Sequence, residues 1–200
     1  MSPSKIVITG TIASGKSTLC KLLESKGFIV ISADEVNKSL LNPGAINYES
    51  IKKSGEFDKA FINESLDKEK LGQIIFSDEN KLKKLNKITH RNILNEINKQ
   101  IDLIDEKAVF VEIPLYFQME VKFDADEVWL VVADYETQIK RLMNRDNINL
   151  SYAKAKIESQ RKLINMKEKS DVVFDNSTSV ENLNEKLEEI LVQKDLLWKF

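Results

Sequence analysis

Soft ligands are nearly missing from this chain, which has one cysteine, Cys20, and one histidine, His90. A lone cysteine excludes an internal disulfide, and the two residues together cannot furnish the Cys/His set of a zinc site. Cys20 stands beside Leu19, Leu22 and Leu23 in a helical pattern and reads as a small core residue rather than a nucleophile. Proline is scarce, at three residues, and neither a proline-rich linker nor a low-complexity tract divides the sequence. Charge of one sign is not in excess: 30 Lys and Arg face 32 Asp and Glu, for a net charge of −2. This balance gives no surface drawn as a whole to nucleic acid or to an anionic membrane, and neither is expected as a partner. Long apolar runs are lacking as well. The first is short and reads as a strand rather than a signal peptide, and none approaches membrane-spanning length, so a cytoplasmic location is expected. The 200 residues, 42% of them apolar, suffice for one domain with a sizeable core.

Two of the six glycines frame the most informative segment. The run Ile6-Val7-Ile8 leads into Gly10-Thr11-Ile12-Ala13-Ser14-Gly15-Lys16-Ser17, followed by Thr18. The octet fits G-x-x-x-x-G-K-[ST] at every fixed position, a match that recurs by chance about once in a hundred chains of this length. Gly10 and Gly15 admit backbone conformations that turn amide N–H groups inward around phosphate oxygens. Lys16 supplies a cation for the β- and γ-phosphates, and the Ser17 hydroxyl suits Mg²⁺. A helix beginning near Lys16 aims the positive end of its dipole at the same anion. The segment predicts a site for a nucleoside triphosphate.

Apolar runs at residues 5–9, 28–31, 108–113, 128–133 and 172–174 read as strands covered on both faces. Helical patterns lie between them, which predicts β-α-β units and a largely parallel five-stranded sheet. The expected fold class is therefore α/β, a three-layer phosphate-loop NTPase architecture. One such domain spans 1–200, with a core of about 1–33, 105–135 and 168–200. Two helical insertions interrupt it, about 34–104 and about 136–167. The first includes a long helix from about Glu79 to Ile104. The second carries Lys140, Arg141, Arg145, Lys154, Lys156, Arg161 and Lys162.

Asp34 follows the second strand by a few residues, on the rim where parallel α/β sheets bind ligands. It is placed either to take the proton of an acceptor hydroxyl or to cap the helix that follows. Arg141 and Arg145, four apart, share one helix face. They either fold over a triphosphate or form a solvated face paired with Asp146 or Glu136. Glu112 and Pro114 end the third strand, where a carboxylate can hold Mg²⁺ through water or serve structure alone. Asn86-Lys87-Ile88-Thr89 imitates the guanine-reading N-K-x-D motif, but Thr89 lacks the carboxylate that grips guanine.

Several segments together resemble the dephospho-coenzyme A kinase family in order and spacing. They are the phosphate loop, Ile31-Ser32-Ala33-Asp34, Leu85-Asn86-Lys87-Ile88-Thr89-His90, and Ile113-Pro114-Leu115-Tyr116-Phe117. Residues Gln138 to Asp146 and Ser170 to Asn176 continue the likeness over nearly the whole chain. The resemblance implies transfer of the ATP γ-phosphoryl group, with Mg²⁺, to the ribose 3′-hydroxyl of dephospho-coenzyme A, the last step of coenzyme A synthesis. It implies a catalytic set of Lys16, Asp34, Arg141 and Arg145, with the arginines on a lid made by the second insertion. ATP would be held by residues Gly10 to Thr18 and by Asn176 near the adenine. The first insertion would bind the acceptor through Asp34, Lys68 and His90, together with Pro114 and Leu115. There are departures: Lys68 stands where the family commonly has arginine, Arg91 where it has proline, Gln118 where a glutamate is frequent, and Ser170 where alanine is common. Alternatives are a nucleoside or nucleoside monophosphate kinase of the same fold and, from a different class, a regulatory switch or non-catalytic nucleotide-binding module. No oligomeric state is read from the sequence.

Overall fold

The computed structural model describes residues 2–161 and 165–197, so Lys162 of the basic insertion lies outside the described residues. In chain order the elements are β1 (Ser4–Gly10), α1 (Lys16–Ser25), β2 (Val30–Ser32), α2 (Ala33–Leu40), α3 (Ile46–Ser54), β3 (Phe61–Ile62), β4 (Ser65–Leu66), α4 (Lys68–Ser77) and α5 (Glu79–Ile101). There follow β5 (Ala108–Glu112), β6 (Glu127–Val132), α6 (Tyr135–Asp146), α7 (Leu150–Arg161), β7 (Val172–Asp175) and α8 (Val180–Gln193). They form two compact units. One comprises the described residues up to Ile31 and from Ile104 onward, the other Ser32–Leu103.

The first unit is built on a five-stranded parallel sheet in the order β2-β5-β1-β6-β7. β1 lies between β5 and β6, with Ile8 opposite Glu112 on one side and Trp129 on the other. Its central place follows from sequence: Ile6, Val7 and Ile8 are all fully buried, as a strand covered on both faces requires. Alternation then divides them, and Ile6 and Ile8 join Phe110, Trp129, Val131 and Phe174 on one face. Leu19, Cys20 and Leu23 of α1 and Leu183, Leu187 and Leu191 of α8 cover that face. Three edge-on or tilted aromatic pairs cross the sheet: Phe28–Phe110, Phe110–Trp129 and Trp129–Phe174, at 5.4, 5.1 and 5.3 Å between ring centres. Such pairs add about 0.5–1.5 kcal/mol each beyond the area they bury.

The second unit is mainly helical. Asp67 and Asp78 cap α4 and α5, each accepting two backbone amides of the first turn. Ile51, Phe57, Ala60, Leu71 and Leu85 form its apolar centre. A polar chain is buried beside it: Asn92 on α5 donates to Asn47 on α3 at 2.9 Å, and Asn47 donates to Asn37 on α2 at 3.1 Å. Asn47 is fully buried, with both ends of its amide satisfied. The reading of 34–104 as helices alone needs correction, because β3 and β4 form a small antiparallel hairpin. Its turn residues Asn63 and Glu64 both have positive φ. Asparagine tolerates that conformation, but glutamate gives no signal of it.

Candidate active site

β1 ends at Gly10 and α1 starts at Lys16, and the loop between them closes on its own backbone. Gly10 has φ of 153° and Gly15 φ of 100°. A Cβ at Gly10 would collide with the Val131 carbonyl and the Ser14 hydroxyl, and one at Gly15 with the Asn176 side chain. Both positions thus need glycine for conformation and for space. The Lys16 ammonium donates to the carbonyls of Gly10 and Thr11 at 3.0 and 3.1 Å, which lays the side chain back along the loop. The Ser17 hydroxyl is exposed on the first turn of α1 and has no hydrogen-bond partner among the described residues.

Three buried polar atoms around this loop lack a hydrogen bond among the described residues: Ser14 Oγ, Arg141 Nη1 and Asn176 Oδ1. An unmade bond of this kind costs about 1–3 kcal/mol, and the cost falls where a ligand supplies the partner. The other end of the Asn176 amide is engaged, donating to the Ser14 carbonyl at 2.9 Å. An ideal Cβ on Gly15 would lie 3.7 Å from Arg141 Nη1, which puts that guanidinium beside the loop.

Arg145 differs from Arg141. Its guanidinium donates to Asp146 at 2.8 Å and is mostly exposed, and Lys156 meets the same carboxylate at 3.1 Å. These two hydrogen bonds hold the Asp146 carboxyl down to about 2. The two arginines share a helix but not an environment, and the structure brings only Arg141 to the phosphate loop.

Two glutamines near the loop were not singled out from sequence. Gln138 on α6 donates to Thr11 Oγ1 and to the Ile12 carbonyl, both at 2.7 Å. Gln160 on α7 accepts the Ile12 N–H at 2.7 Å. Ile12 and Ala13 also pack on Ile139, Leu142, Ala153 and Ile157 of these helices.

Pro114 and Leu115 follow β5. Leu115 is held at φ 54° and ψ 27°, a left-handed conformation that costs a branched side chain about 1–2 kcal/mol. Burial, and after it the charge of Glu112, push the Cys20 thiol far up, so it stays protonated in the core.

Asp34, Lys68 and His90 belong to the second unit. The helix after β2 starts at Ala33 with Ser32 in the cap position, so Asp34 lies in the first turn and is not the cap. Its carboxylate is exposed and accepts no hydrogen bond among the described residues. Lys68 is the exposed first residue of α4, and His90 is half-buried on α5.

The family model for dephospho-CoA kinase matches residues 5–182. The dephospho-CoA kinase of Carboxydothermus hydrogenoformans is 38% identical over 98% of this chain and 94% of its own length. A solved structure from Thermus thermophilus superposes with a TM-score of 0.82 at 27% identity, covering 96% of this chain and 98% of that one. The dephospho-CoA kinase structure from Campylobacter jejuni gives a TM-score of 0.70 at 29% identity over the same shares of the two chains.

Proposed function

The chain belongs to the dephospho-CoA kinase family, and on that premise we propose that it moves the γ-phosphoryl group of ATP to the ribose 3′-hydroxyl of dephospho-coenzyme A. The observation that carries this reading is the phosphate loop with Arg141 beside it, inside a family match of nearly the whole chain. Residues 10–18 hold the triphosphate through their amides and Lys16, which leaves the Gly10 and Thr11 carbonyls for the phosphate oxygens. Arg141 neutralises charge that grows on the transferred group, and Arg145 joins it on exchanging Asp146 for phosphate. Asn176 shapes the adenine end of the same site.

Among the described residues no group of three or more His, Cys, Asp and Glu is arranged to hold a metal ion. Mg²⁺ fits a different pattern, one hydroxyl of the protein with phosphates and water, and the exposed Ser17 hydroxyl suits it. The ion supplies charge neutralisation to the phosphate oxygens. Asp34, whose carboxylate accepts no hydrogen bond among the described residues, orients the acceptor hydroxyl and receives its proton. Lys68, His90, Pro114 and Leu115 bind the rest of the acceptor. Lys68 offers a point charge where the family's arginine offers a planar fork, so it contacts phosphate with less directional demand. A cytoplasmic location is part of the same reading, as is the lack of a nucleic-acid partner.

An ADP-release assay with ATP and dephospho-coenzyme A, AMP or adenosine tests the acceptor. Turnover should appear with dephospho-coenzyme A and fall at least about a hundredfold with the others, since each lacks contacts that the acceptor makes. Equal or faster turnover with AMP or adenosine returns the protein to the general nucleoside or nucleotide kinases.

A further inference from the structure

Both backbone groups of Ile12 end on glutamine side chains. Gln160 of α7 accepts its N–H, and Gln138 of α6 donates to its carbonyl and to the neighbouring Thr11 hydroxyl, all at 2.7 Å. The next residue, Ala13, stands at φ 56°, a conformation an unsupported alanine seldom keeps. The apolar side of this turn is held as well, because Ile12 and Ala13 pack into the cluster of Ile139, Leu142, Ala153 and Ile157. The outer half of the phosphate loop is therefore braced by side chains of the helix that carries Arg141 and the helix after it.

We infer that Gln138 and Gln160 are positioning residues that clamp the backbone on both sides of Ile12 and preset the loop for the triphosphate. Neither side chain need touch the nucleotide. They act by removing loop conformations that cannot receive phosphate, so that ATP binding orders less of the chain. The clamp serves the ground state and the transition state alike, and its loss should therefore raise the KM for ATP and leave kcat nearly unchanged. The inference rests on the assignment of residues 10–18 to the ATP phosphates.

Gln160→Met tests it, because it keeps a long side chain at the half-buried position 160 and deletes the acceptor oxygen. Amide-resolved hydrogen exchange by NMR on the nucleotide-free protein should show faster exchange at Ile12. The KM for ATP should rise roughly three- to tenfold, the worth of one neutral hydrogen bond, with kcat within about twofold and the acceptor KM unchanged. Gln160→Glu keeps an acceptor oxygen and should restore slow exchange at Ile12. Unaltered exchange at Ile12, or a fall in kcat with the ATP KM of the parent, overturns the clamp. Failure of the underlying reading looks different: Lys16→Ala would then retain ATP binding and turnover, whatever Ile12 does.

Discussion

At Asp34 a carboxylate stands in the first turn of α2 with no hydrogen bond among the described residues and with Ser32 already in the cap position. A helix start favours a negative charge by about 0.3–1 kcal/mol, so Asp34→Asn should cost little stability. If the carboxylate takes the acceptor proton, kcat at saturating dephospho-coenzyme A should fall about a hundredfold while ATP affinity stays constant. Steady-state kinetics beside a melting curve checks both, and a near-normal kcat removes Asp34 from the chemistry. Phosphoryl transfer has a loose transition state, so a loss nearer tenfold would make Asp34 an orienting group instead. The arginines make a second comparison. Arg141→Ala should lower kcat/KM about a hundredfold or more, because its guanidinium lies by the loop with a buried nitrogen that has no partner among the described residues. Arg145→Ala should cost about tenfold or less, since Arg145 must first leave Asp146. The reverse order would mean that Arg145, released from Asp146, does more for the phosphate than Arg141 does. The phosphate loop was legible in sequence because chemistry fixes its residue types. Gln160 was not, because its partner Ile12 lies 148 positions away.

Among the elements, the parallel strands were readable because burial on both faces demands unbroken apolar runs, as in Val109 to Val111. The helix starts were less so, and Ala33 entered α2 earlier than the Asp34 cap alternative implied. The two-residue strands β3 and β4 are too short for any periodicity. The asparagine relay is another feature that sequence hides, for Asn37, Asn47 and Asn92 look like surface residues one at a time. In the fold they join α2, α3 and α5 through the buried Asn47 amide. Asn47→Ala deletes the middle of the relay: the Asn37 oxygen loses its donor, and Asn92 keeps only its hydrogen bond to the Ile88 carbonyl. It should destabilise the protein by about 1–3 kcal/mol, read by denaturant unfolding. Asn37→Ala with Asn47→Leu and Asn92→Leu, which removes the polar groups together, should recover part of that loss. Unchanged stability in the single variant would show that water replaces the Asn47 amide freely.

Across the whole molecule the residues proposed for phosphate handling lie in the first unit, and Asp34, Lys68 and His90 in the second. Among the described residues no helix is long and apolar enough to cross a membrane. The proposed reaction moves one phosphoryl group to one hydroxyl. Phosphorus NMR of the products from ATP, Mg²⁺ and dephospho-coenzyme A tests it most directly. The expected result is one new phosphate monoester on the ribose 3′-oxygen, formed mole for mole with ADP and lost in Lys16→Ala. Inorganic phosphate in its place, or a phosphate on any other position, would contradict the account.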